Sequence, residues 1–158
     1  MPLWFYNDNV YRCKLYAMTT TAQMIVKKLG NKYFKEGTES EIISLNFSYE
    51  NDYVLNITIE TWKNSTQTVR LEIEFDDYTG FRCLEEVDTG YISMPEFSDG
   101  HHIFKIEGGG WRSDENTQNG FLAMSFSDDD ISEYFILTSN TCLSVLSRKV
   151  PIINEIEG

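Results

Sequence analysis

Residues 68–75, Thr68-Val69-Arg70-Leu71-Glu72-Ile73-Glu74-Phe75, alternate between apolar and polar side chains from Val69 onward. A strand turns successive side chains to opposite faces, so Val69, Leu71, Ile73 and Phe75 point one way and Arg70, Glu72 and Glu74 the other. One face meets a core and the other meets water, the signature of a half-buried antiparallel strand. The same period places Ile43, Leu45, Phe47 and Tyr49 on one face, then Leu55, Ile57 and Ile59, with Glu50-Asn51-Asp52 as the hairpin turn between them. Earlier, Tyr11, Cys13, Leu15 and Ala17 alternate with Arg12 and Lys14, which predicts a first strand near residues 10–18.

One segment departs from period two. Ala22, Ile25, Val26 and Leu29 fall at i, i+3, i+4 and i+7, behind Thr19-Thr20-Thr21 as N-cap candidates and ahead of Gly30-Asn31 as a stop. This spacing predicts a short amphipathic helix near residues 20–30. Lys27, Lys28 and Lys32 suit the negative end of its dipole.

Downstream, short apolar runs near 80–84, 90–94, 102–107, 120–126, 133–138 and 142–147 are separated by Ser98-Asp99-Gly100, Gly108-Gly109-Gly110, Asn119-Gly120 and Ser127-Asp128-Asp129-Asp130. Many short strands divided by turn chemistry give a mainly β fold, an antiparallel β-sandwich or an open barrel. No repeat or linker interrupts the chain, so residues 1–158 read as a single domain, with the tail after Pro151 packing as a last edge segment or fraying.

The 158 residues are 41% hydrophobic and 24% charged, ordinary values for a folded chain rather than a disordered or membrane one. Thirteen Lys and Arg against 25 Asp and Glu leave a net charge of -12. Nucleic acid and anionic membrane are therefore disfavoured partners, and a basic protein is a favoured one. Solubility alone also explains such a charge. The surplus is uneven: residues 1–36 carry six Lys/Arg and two Asp/Glu, and residues 37–158 carry seven and twenty-three. Neither a basic leader followed by an apolar run nor a membrane-length apolar stretch is present, so a cytoplasmic chain is expected. In that setting Asn46-Phe47-Ser48, Asn56-Ile57-Thr58 and Asn64-Ser65-Thr66 are chance matches to the glycosylation pattern.

Catalytic signals are weak. His101 and His102 are adjacent, so on a strand they face opposite ways, and they read better as residues opening a strand after a turn than as an acid/base or metal pair. Gly108-Gly109-Gly110 lacks the spacing of a phosphate loop and is not followed by a good helix, which favours a glycine bulge or wide turn. Asp128-Asp129-Asp130 lacks the glycine and the closing Glu of a calcium loop. A glycosidase pair among the many carboxylates has no positive signal, and each acidic cluster reads first as a solvated turn. No G-x-S-x-G elbow occurs, and Cys13, Cys83 and Cys142 read as thiols in strand cores. The chain is therefore expected to have no enzymatic activity, metal or cofactor. Trp111, beside flexible glycines, is either packed in the core, the slightly favoured reading, or an aromatic interface anchor.

A cadence runs through residues 69–156: Gly80-Phe81-Arg82 followed by Leu84-Glu85-Glu86-Val87-Asp88, then Glu107-Gly108-Gly109-Gly110-Trp111, then Tyr134-Phe135-Ile136 leading to Cys142-Leu143-Ser144-Val145-Leu146-Ser147. It resembles small bacterial proteins found beside polymorphic or contact-dependent toxins and taken to be immunity proteins. These are strand and loop signatures, so no active site is carried over. The resemblance implies a non-enzymatic inhibitor that binds a cognate toxin. Charge adds that the toxin is basic, with a nuclease as one possibility. Trp111, Asp128, Asp129, Asp130 and Glu133 are the residues expected on the partner-binding face. A small-molecule-binding β domain is the alternative, since aromatic residues make up 14% of the chain and can line a pocket.

Overall fold

The computed structural model describes residues 25–34, 39–48, 53–64, 66–85, 95–97, 100, 102–115 and 130–156. Its strands are β1 (Ile25–Lys28), β2 (Ser40–Ser48), β3 (Val54–Asn64), β4 (Gln67–Asp76), β5 (Tyr78–Leu84), β6 (Ile103–Gly108), β7 (Ser132–Leu137), β8 (Cys142–Ser147) and β9 (Ile152–Ile156). A 3₁₀ turn covers Pro95–Phe97, and one helix, α1, covers Trp111–Glu115. The strands form two antiparallel sheets, β2-β3-β4-β9 and β1-β6-β7-β8-β5. They pack face to face as a β-sandwich rather than closing into a barrel.

Register decides which side chains meet. Leu55, Ile57 and Ile59 of β3 stand opposite Phe75, Ile73 and Leu71 of β4. All six are fully buried against Ile103, Tyr134, Ile136, Leu143 and Val145 of the other sheet. The polar residues between them, Asn56, Thr58, Glu60, Arg70, Glu72 and Glu74, therefore turn outward, as the alternation in residues 68–75 requires.

The five-stranded sheet is different, because it is covered on both faces. Away from β3 and β4, Phe104, Ile106, Phe135 and Cys142 pack with Phe97, while Leu146 packs with Trp111 and Ile131. Phe97 sits edge-on to Phe104 and Phe135, with ring centroids 4.7 and 5.6 Å away. All six residues of β8 are buried as a result.

Tyr134 lies in the inter-sheet core, 5.4 Å from the Phe75 ring. Burial pushes its phenol above the ordinary tyrosine value of 10.0, partly offset by a side-chain hydrogen bond with Ser132. A raised pKa means that the fold favours the neutral phenol, so its share of stability is complete below pH 10 and is lost as pH rises through the folded value. Urea midpoints measured above pH 10 should fall, and Tyr134→Phe should flatten part of that decline.

Three expectations need correction. Ile25–Lys28 is a strand, not part of a helix: it lies along β6, with Val26 opposite Ile106 and Lys28 opposite Phe104. β-Branched Ile25 and Val26 favour extended backbone, and a sheet position outweighs a weak helical pattern. Gly30, at φ 68°, turns the chain after this strand, and its carbonyl accepts a hydrogen bond from the Tyr33 N–H at 2.9 Å. In β2 a bulge between Ile42 and Ser44 resets the alternation, so Ile42, Leu45 and Phe47 share the inner side while Ile43 is 48% exposed. A helical turn, α1, does follow the glycines at 108–110. The tail after Pro151 forms β9, an edge strand paired with β4. The expected strand at 10–18, the Glu50-Asn51-Asp52 turn and the runs at 90–94 and 120–126 lie outside the described residues.

Candidate functional site

The outer face of the four-stranded sheet is polar in rows set by register. One row joins Glu41, Glu60, Arg70 and Ile156, the next Ser44, Thr58, Glu72 and Asn154, and the next Asn46, Asn56, Glu74 and Ile152. Ser44 donates to Thr58 Oγ1 across the strands at 3.0 Å. Arg70 Nε pairs with Glu60 at 3.0 Å, and Lys149 pairs with Asp76. Glu41, Glu72 and Glu74 add three further carboxylates to this face, so its balance among the described residues is acidic.

Trp62 stands on the same side, two residues beyond Glu60 and opposite Thr68, and is 46% exposed. Beside it a shallow groove runs along Glu60, Gln67, Thr68, Arg70, Glu155 and Ile156. A flat sheet face with carboxylates and an exposed indole has the chemistry of a protein interface, where aromatic anchors hold and charges steer. The alternation in residues 68–75 turns Arg70, Glu72 and Glu74 to water but does not join them to Trp62. That link needs the β3–β4 register.

The residues expected on a partner-binding face fall elsewhere. Glu133 is fully buried and Trp111 is 8% exposed, both beneath α1 or within it, so neither presents a surface in this structure. The Glu133 carboxylate accepts the Arg112 backbone N–H at 2.9 Å, supplying the first turn of α1 with an acceptor. The Arg82 guanidinium lies 4.7 Å from the Trp111 ring centroid, joining β5 to α1. Asp130 is exposed, while Asp128 and Asp129 lie outside the described residues.

No protein-family profile, curated protein or solved structure matches this chain. The remaining candidate groups have structural work in the sandwich. His102 is buried, with Nδ1 donating to the Leu137 carbonyl at 2.9 Å and its ring edge-on to Phe34. His101 lies outside the described residues. Asp77, at φ 62°, and Asp76 tie the β4–β5 turn to Arg148 and Lys149. Cys142 is buried as expected, but Cys83 is exposed on β5, and Cys13 lies outside the described residues. Among the described residues no group of three His, Cys, Asp or Glu side chains is arranged to hold a metal, and no helix is long and apolar enough to cross a membrane.

Proposed function

We propose that this chain is an immunity-type inhibitor that acts in the cytoplasm, binding and neutralising a basic toxin by protein–protein contact rather than by catalysis. The observation that carries the reading is the acidic outer face of β2, β3 and β4, with exposed Trp62 at its end. A chain of net charge -12 accelerates encounter with a cationic partner. The same field makes nucleic acid an unfavourable ligand. Glu72 and Glu74 steer, and Trp62 supplies the contact area that slows dissociation.

Tagged capture from producing cells at low and moderate salt, followed by mass spectrometry, should retain a basic protein in stoichiometric amount. With that protein in hand, the double substitution Glu72→Lys/Glu74→Lys should lower the association rate by about tenfold or more at low salt, and by less as salt screens the field. Trp62→Ala should raise the dissociation rate instead. An association rate and salt dependence unchanged by the double reversal would overturn the assignment of this face.

A further inference from the structure

The chain caps borders of its own sheets. Asn140, in the turn after β7, accepts from the Ile42 N–H and donates to the Ile42 carbonyl on β2, and Ser139 donates to the Ser40 carbonyl. On β9 the Tyr33 hydroxyl donates to the Ile153 carbonyl. One border is different. The last residue pair between β4 and β9 is Arg70 with Ile156, so β4 runs past it through Val69, Thr68 and Gln67. Trp62, opposite Thr68, donates its N–H to the Glu39 carbonyl on the β2 side. Antiparallel alternation then turns the Thr68 N–H and carbonyl the other way, into the lane of β9, where no strand or cap meets them among the described residues.

The groove beside Trp62 opens at this overhang, with about 790 Å³ of space, enough for a whole side chain. Val69 and Ile156 give it apolar surface, Glu60 and Glu155 give it carboxylates, and Thr68 lines it between them. One cation is already there: Arg70, which Glu60 holds at 3.0 Å. Two carboxylates against one guanidinium leave the groove negative, with a main-chain carbonyl as a further acceptor.

We infer that this groove seats one arginine side chain of the basic protein partner. Its aliphatic stem lies on Val69 and Ile156, and its guanidinium pairs with Glu155 and the Thr68 carbonyl. Arginine outranks lysine here, because a planar guanidinium with five donors serves a carboxylate and a carbonyl at once and gives up its water more readily. Arg70 acts as a brake, since it occupies Glu60 and repels the incoming cation. The inference rests on the proposed function and names the side chain by which the partner is held beside Trp62.

The probe is a capped Gly-Arg-Gly tripeptide, with capped Gly-Lys-Gly and capped Gly-citrulline-Gly as controls, citrulline keeping the shape of arginine without its charge. Amide NMR spectra of the full chain follow Thr68, Val69 and Ile156 during each titration. The arginine peptide should shift these amides saturably, with a dissociation constant about fivefold or more below that of the lysine peptide, and the citrulline peptide should give no saturable shift. Glu155→Gln should weaken the arginine peptide by about fivefold, and Arg70→Gln should tighten it by about threefold, both with unchanged circular dichroism. A gain of affinity on losing Arg70 cannot come from misfolding. Arginine and lysine peptides that bind equally, a citrulline peptide that binds as well, or shifts that avoid these three amides overturn the groove assignment. A captured basic protein that binds Glu155→Gln and Arg70→Gln as tightly as the parent also overturns it while leaving the proposed function standing. Selective binding of the arginine peptide with no basic protein captured supports the groove and removes the proposed function.

Discussion

Gly110→Ala should destabilise the protein by about 2–5 kcal/mol, a large part of the total stability of an ordinary domain. An added Cβ would meet the Glu133 carboxylate and lie 2.7 Å from Ile106 Cγ2. Ile106 is almost fully buried within its sheet and has little room to retreat, so the carboxylate must move. Moving it breaks its bond to the Arg112 N–H and leaves a buried polar group without that donor. Gly108→Ala is the control, because the nearest atom to its added Cβ is Ile25 Cδ1 at 3.8 Å, an ordinary contact with an exposed side chain. Thermal and urea unfolding of the two variants should therefore separate widely. Equal midpoints would show that the Glu133–α1 contact contributes little to stability.

Phe75→Ala should cost about 3–5 kcal/mol. Phe75 is fully buried, stands opposite Leu55 and packs against Tyr134 of the other sheet. Truncation leaves a cavity where two sheets meet, and the β3–β4 register prevents either strand from sliding to fill it. Phe47→Ala provides the comparison on the same inward side of the sheet. Its ring is 53% exposed, so its loss should cost less than about 1 kcal/mol. A loss at Phe75 as small as that at Phe47 would contradict the packing between the sheets.

How much of this was legible in the sequence depended on what covers each strand. β4 has water on one side, so its pattern names both its core residues and its solvent residues. β7 and β8 are covered twice, by β3 and β4 on one face and by Phe97, Trp111 and Ile131 on the other. Their alternation vanishes into continuous apolar runs, which reveal a strand but neither face. The same second layer explains why Trp111 and Glu133 read as surface candidates. The buried position of Glu133 depends on β6, β8 and α1, which local spacing does not bring together. The bulge in β2 carries no mark in the sequence, since Ile42 and Ile43 are chemically alike. The Trp62 face was half visible: its charges were evident, but their neighbour was not.

The Asn140 carboxamide sets an order on events during synthesis. β2, β3 and β4 are neighbouring strands joined by local antiparallel pairings, so they can assemble soon after residue 76 emerges. The cap on Ile42 comes from 98 residues further along the chain. For that interval the nascent meander carries a raw border at Ile42, beside Ile43 and Phe47, able to recruit the same strand of a neighbouring nascent chain. The turn after β7 thus acts as a late stopper, and the ribosome must deliver it before crowding supplies a substitute.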